Sequence, residues 1–295
     1  MRDISFRAAD GFPLQGHLYE GGGDGPAVLI SSAAAVPDAI YRHFANHLIE
    51  QGASTVLTYD YRGVARSEAP SRWKARLNLK DWGVLDFPAA LDELRRIAGD
   101  RPLVGIGHSY GGVALGLSNR SADFERFALL ASLSGYYRNT AQPCAMYAKM
   151  NLLGVPLTIP FGKLPRWGGL GEAVPGTIFR DWARWCRNPN FLFSDPGVPE
   201  ARNFQSVAIP LLSVGITDDV WGTPRAVESL LRRFDKAHDL HEMWFSPANT
   251  DGAPIGHLGF FRKHQAGKLW PAVTDWLLDA KVPEGSAPRR EMRAA

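Results

Sequence analysis

Cysteine is scarce in this chain. Two residues, Cys144 and Cys186, occur among 295, too few for a disulfide framework, so a reduced compartment is expected. Long apolar runs are missing as well. No stretch reaches the roughly 18 residues that a membrane helix needs, which argues against a membrane span. The opening Met1-Arg2-Asp3-Ile4-Ser5-Phe6-Arg7 enters an alternating pattern without the apolar segment of a signal peptide. The expected location is the cytoplasm. Charge of one sign is also lacking: 33 Lys and Arg against 30 Asp and Glu leave a net charge of +3. That excess is too small and too scattered to call for a nucleic-acid partner. Metal-ligand spacing is absent too. His43 and His47 lie four apart on a predicted helix, but no H-E-x-x-H and no further ligand accompany them, so neither a metal nor a cofactor is expected. What remains is an ordinary globular composition, 45% hydrophobic and 21% charged, long enough for one large α/β domain with an insertion.

Strand and helix patterns alternate along the chain. Ile4 to Arg7 and Leu14 to Tyr19 alternate apolar and polar residues around Asp10-Gly11, which predicts an antiparallel pair. Ala27 to Ile30, Ser54 to Tyr59, Pro102 to Ile106, Phe127 to Ala131, Pro210 to Val214 and His241 to Phe245 read as buried strands. Ala39 to Gln51, Trp82 to Ile97, Arg225 to Arg233 and Leu269 to Leu278 carry helical spacing. Such alternation predicts a mostly parallel central sheet with helices on both faces. The rhythm stops near Ser134 and resumes at Ile209. The stretch between is rich in Trp, Pro, Gly and Arg and reads as an inserted helical cap rather than a loop. The expected organisation is a core of residues 1–134 and 201–282, a cap over 135–200 and a disordered tail over 283–295.

Gly107-His108-Ser109-Tyr110-Gly111 fits G-x-S-x-G between a predicted strand and a small-residue helix, Gly111 to Leu117. A serine on such a turn is held in strained geometry with its hydroxyl exposed, and the flanking glycines relieve crowding. A serine hydroxyl needs a positioned base, and that base needs an orienting group. Both are available downstream at strand ends. Asp218 and Asp219 follow the strand begun at Pro210, and His257 lies in Ile255-Gly256-His257-Leu258-Gly259, ahead of the last helix. Adjacent residues on an extended segment face opposite ways, so one of the two aspartates can serve His257. Oxyanion donors are expected from the backbone N–H of Tyr110 and from the small-residue loop Ser31 to Ala35, around Ala33 or Ala34, with Ala33 as the choice. His108 is expected to pack beneath the turn. The aromatics Tyr136, Tyr137, Trp167, Phe179, Trp182 and Trp185 are expected to line part of an apolar acyl pocket; their other role is the cap's own core.

At these residues the chain resembles the α/β-hydrolase superfamily, over about residues 4–280. Gly-His-Ser-Tyr-Gly-Gly matches that family's elbow, and Tyr59-Asp60-Tyr61-Arg62-Gly63-Val64-Ala65-Arg66-Ser67 resembles its D-x-R-G-x-G-x-S segment with Ala65 in place of the second glycine. Tyr61-Arg62-Gly63, Asp181-Trp182-Ala183-Arg184-Trp185-Cys186, Thr217-Asp218-Asp219 and Ile255 to Phe261 are similar to a group of bacterial predicted α/β hydrolases. The resemblance implies the α/β-hydrolase fold and a Ser109, Asp219, His257 triad. A count of three from Gly215 points to Asp218. The family's spacing of nine from the proline that starts the strand, together with the helix start at Pro224, points to Asp219. The chain departs from the family at Ser31-Ser32, where many relatives have His-Gly.

The implied activity is hydrolysis through an acyl-enzyme, carboxylic-ester hydrolysis of a small or medium apolar acyl substrate being the commonest chemistry on such a site. The same triad would serve an acyltransferase, and a binding protein that has lost catalysis is a third reading. Haloalkane dehalogenation is disfavoured, because it uses a carboxylate where this chain has Ser109. The expected partner is a small ester-like molecule.

Overall fold

Alternation at the N-terminus becomes a hairpin in the computed structural model, which describes residues 1–71, 73 and 76–289. Strands β1 (Arg2–Arg7) and β2 (Pro13–Glu20) pair antiparallel, with Ile4 opposite Gly16 and Phe6 opposite Leu14. β3 (Ala27–Ser31), β4 (Thr55–Asp60), β5 (Leu103–His108) and β6 (Arg126–Leu130) follow. Every residue of β3, β4 and β5 is buried, as strands are when both faces of a sheet are covered. The two-residue strands β7 (Lys163–Leu164) and β8 (Val174–Pro175) pair only with each other. β9 (Leu211–Ile216), β10 (Leu240–Phe245) and the short β11 (Ala287–Pro288) complete the main sheet.

Among the described residues nine strands form that sheet, in the order β1-β2-β4-β3-β5-β6-β9-β10-β11. From β4 through β10 neighbours run parallel. The chain leaves β3 toward β4 and returns to β5 on the other side. The carboxyl ends of β3 and β5 therefore border a topological switch point, where open α/β sheets place ligands.

Helices α1 (Arg42–Glu50), α2 (Phe87–Ala98) and α3 (Tyr110–Ser118) belong to the sheet layers, as do α7 (Pro224–Leu231) and α9 (Trp270–Asp279). Phe44, Leu48, Trp270 and Leu277 of α1 and α9 form one apolar cluster with Ile30, Ile106 and Val214. Phe87, Leu91, Val113, Leu117 and Leu230 of α2, α3 and α7 form the other, with Leu29 and Leu129. Between β6 and β9 the chain builds α4 (Pro143–Tyr147), α5 (Val155–Phe161) and α6 (Gly176–Arg187), joined by single helical turns. The four-residue α8 (Gly256–Gly259) ends the loop after β10. No helix among the described residues is long and apolar enough to cross a membrane.

One expectation needs correction here. The tail expected to be free from residue 283 is held over its described part: Ala287 pairs with Glu242 and Pro288 with His241. The Arg289 N–H donates to the Leu240 carbonyl at 2.8 Å, and its guanidinium meets Glu228 at 2.7 Å. Residues 287 and 288 are thus an edge strand, and the Arg289 that follows has Glu228 as its counter-ion. Residues 290–295 lie outside the described residues.

Candidate active site

The turn from β5 into α3 carries Ser109 at φ 52°, ψ −108°, a left-handed backbone on a non-glycine residue. Two glycines make that turn possible. A Cβ on Gly107 would lie 2.4 Å from the Gly111 backbone, and one on Gly111 would lie 2.4 Å from the Ser31 carbonyl oxygen. The Ser109 N–H donates to the Leu130 carbonyl at 2.8 Å, which ties the turn to β6. Surrounding structure thus over-determines a conformation that is costly in isolation. Ser109 stands at the N-terminus of α3, where the Tyr110 N–H is free of intrahelical bonding and the helix dipole is positive.

The turn after β9 presents the two aspartates in opposite senses. His257 Nδ1 and Asp219 Oδ2 are 2.6 Å apart. The carboxylate can only accept, so Nδ1 carries the proton, and in the neutral ring the lone pair is then on Nε2. Asp219 Oδ1 accepts from the Trp221 N–H at 2.8 Å. Burial pushes the Asp219 carboxyl up, but the bond and charge of His257 and the Gly222 and Trp221 N–H groups outweigh it and hold it below the usual range. Asp218 faces the other way. Its two oxygens accept the Ile255 and Gly256 N–H groups at 2.9 and 3.0 Å, and so fix the loop that carries His257. Sequence reasoning weighed Asp218 as a rival acid and missed this bracing function, which no motif signals.

Beneath the turn, fully buried His108 links three loops. Its Nε2 lies 2.8 Å from the His257 carbonyl oxygen and must donate to it. Nδ1 is then an acceptor, and the Tyr41 hydroxyl donates to it at 2.9 Å. The Tyr41 oxygen in turn accepts the Ala33 N–H at 2.9 Å. Burial, with the nearby His257 ring, pushes the His108 pKa down to about 3, so this relay holds a neutral imidazole.

That relay corrects the expected oxyanion donor. Ala33 is buried and its N–H is committed to Tyr41, so it cannot also serve a substrate oxygen. The neighbouring Ala34 lines the cavity with Ser109, Tyr110 and His257. Ser32, one of the two residues standing where relatives have His-Gly, turns inward and donates to the Tyr59 carbonyl at 3.1 Å.

The cavity holds about 250 Å³. Its walls bring Val113 and Leu133 of the sheet layers together with Met146, Leu170, Trp182 and Phe191 of the segment between β6 and β9. The expected aromatic wall is therefore redistributed. Trp182 lines the cavity; Phe179 and Trp185 are buried in the core, and Trp167 is 66% exposed. Tyr136 and Tyr137 pack on each other, away from the wall. Phe191 and Trp221 take their places, and Trp221 stacks on Trp182 at 5.9 Å between ring centroids. Among the described residues no group of three or more His, Cys, Asp or Glu side chains is arranged to hold a metal ion.

Residues 27–262 match the sequence model of a family described as the alpha/beta hydrolase family. No curated protein matches the chain. Among solved structures, an esterase from Exiguobacterium antarcticum superposes with a TM-score of 0.61 at 13% identity, covering 93% of this chain and 98% of that one. An esterase from Pyrococcus furiosus gives 0.59 at 14% identity, over 94% and 91% of the two chains. Est1E from Butyrivibrio proteoclasticus, solved with ferulic acid bound, gives 0.61 at 16% identity, over 94% and 100%. At such identities the likeness concerns the fold.

Proposed function

The chain belongs to the alpha/beta hydrolase family, and from that premise we propose that it is a serine hydrolase acting on a carboxylic ester through an acyl-enzyme. One observation carries the reading: an imidazole held on Asp219 at 2.6 Å shares a cavity with a serine on a strained strand-to-helix turn. Ser109 Oγ attacks the ester carbonyl while its proton passes to His257 Nε2, the nitrogen left bare by the bond to Asp219. The imidazolium is stabilised by the buried Asp219 carboxylate. The developing oxyanion is received by the Tyr110 N–H at the head of α3, and by the Ala34 N–H in place of Ala33. Collapse expels the alcohol, which takes the proton from His257. Water then enters by the same route and releases the acid, regenerating Ser109.

The apolar walls favour an acyl chain of small or medium size, and the segment between β6 and β9 supplies a large part of the surface that would select it. The test is turnover of p-nitrophenyl esters of rising chain length by the wild type and by Ser109→Ala. Wild type should release nitrophenol with a chain-length optimum. The variant should lose nearly all turnover with an unchanged circular dichroism spectrum, because Ser109 Oγ supports no contact of the core. Equal turnover by both proteins would overturn the proposal.

A further inference from the structure

Among the described residues Lys149 is the one Lys, Arg, Asp or Glu on the wall of the Ser109 cavity. It lies on the helical turn Ala148–Gly154 between α4 and α5. Its Nζ donates one hydrogen bond, to the Gly169 carbonyl at 2.5 Å. Gly169 has φ +74°, the left-handed backbone that favours glycine. No carboxylate pairs with this ammonium among the described residues. An ammonium has three donors, so two of them remain for another partner.

A second cavity of about 320 Å³ adjoins the first, and the two share Met146, Lys149, Trp221 and His257. Asp218 also borders the second cavity, but its oxygens are taken by the Ile255 and Gly256 N–H groups. An unpaired cation thus stands beside the reaction centre, on walls that are otherwise mainly apolar. The ammonium, whose bond to Gly169 is exposed, keeps donors free, and a ligand that brings an anion gains a charge-assisted hydrogen bond there.

We propose that Lys149 is a specificity-determining residue that binds a carboxylate on the substrate, so that the preferred esters are half-esters of dicarboxylic acids: an apolar acyl chain with an anionic end. This rests on the hydrolase reading of the same site. The methylene chain lies along Met146, Leu170 and Trp182, and the terminal carboxylate accepts from Lys149 Nζ. The guanidinium of an arginine would keep the interaction, and a methionine would keep the volume but remove the charge.

The experiment pairs p-nitrophenyl butyrate, pentanoate and hexanoate with the p-nitrophenyl half-esters of succinate, glutarate and adipate, for wild type, Lys149→Met and Lys149→Arg. For at least one half-ester, Lys149→Met should lose roughly 10-fold or more in kcat/KM, chiefly through KM, as expected when one charge-assisted hydrogen bond is removed. The matched neutral ester should change less than about 3-fold on the same grounds, and Lys149→Arg should restore most of the loss. Equal effects on both series, or a wild type indifferent to the carboxylate, would overturn the proposal. Failure of the hydrolase reading has a different signature, no turnover of either series. In that event calorimetric titration of free adipate and hexanoate into wild type and Lys149→Met decides: adipate binding lost in the variant upholds the anion site, and binding that is equal or absent in both proteins removes it.

Discussion

The carboxyl edge of the sheet and the segment between β6 and β9 meet at one cavity, yet they are built in opposite ways. At the sheet edge each reacting group is fixed by backbone. Ser109 is locked by the Leu130 carbonyl, and its turn by glycines at 107 and 111, where a Cβ would lie 2.4 Å from neighbouring backbone. Asp219 is held by His257 and the Trp221 N–H, and the His257 loop by Asp218 and His108. Apart from the twelve-residue α6, the intervening segment is made of short pieces. α4 and α5 have five and seven residues, α5 contains Pro160, and β7 and β8 have two residues each. Leu152, Ile159 and Trp167 are 69%, 76% and 66% exposed. Helices this short owe their stability to packing, and packing can change with sequence at little cost to the fold. On the proposed function the contrast is a division of labour: the sheet edge would set the reaction, and the segment above it would set what reaches Ser109.

The sharpest way to break this division is at the two aspartates. Asp219→Asn should lower kcat by about 10⁴, the scale known for the corresponding change in a Ser-His-Asp enzyme. Asp218→Asn, which weakens two backbone bonds behind His257, should cost about 10-fold or less. Steady-state kinetics of both variants on one ester ranks them. The reverse ranking would assign the acid to Asp218.

Next in size is a stability effect at His108. Its folded pKa of about 3 lies far below the ~6.5 of a free imidazole. Between those values the unfolded chain binds a proton that the folded chain excludes, so stability is full above about pH 6.5 and is lost as pH falls. The loss approaches about 1.4 kcal/mol per pH unit for this one proton. Urea unfolding from pH 7.5 to 4.5 should show wild type falling more steeply than His108→Gln by that slope. Parallel curves would mean that His108 is protonated as readily in the fold as out of it.

A smaller change is expected on the other side of the comparison. Trp182→Ala removes wall, not chemistry: chain-length preference among p-nitrophenyl esters should shift by about 10-fold in kcat/KM, within the range of lost apolar contact. An unchanged profile would take Trp182 out of selection. Smallest of all, Trp167→Ser should leave activity unchanged and stability within about 0.5 kcal/mol, because the side chain is mostly exposed. A larger loss in either measurement would place Trp167 in the machinery of the site.

The same contrast decides what could be read from the residues alone. The strands and the turn at Ser109 were legible because backbone sterics force glycine at 107 and 111, and burial on both faces of the sheet makes β3, β4 and β5 rich in apolar residues. Asp219 was legible only through the family's spacing after Pro210; a count from Gly215 alone points to Asp218, and it is the fold that sets Asp219 against His257. The choice of Ala33 within the oxyanion loop failed because a hydroxyl eight positions away, Tyr41, takes its N–H, and no local pattern announces such a partner. Among the cap aromatics, helical spacing separates wall from core poorly: Phe179 and Trp182 sit on one helix three residues apart, one buried in the core and one on the cavity. Trp221, outside the segment, completes the wall through the fold rather than through sequence.

The central claim, that Ser109 is a nucleophile activated by His257 and Asp219, is tested most directly by a fluorophosphonate probe followed by peptide mapping in a mass spectrometer. The account predicts a single covalent adduct on Ser109, absent in Ser109→Ala and formed far more slowly in Asp219→Asn. Folded protein that carries no adduct on Ser109, or labels equally fast without Asp219, would contradict it.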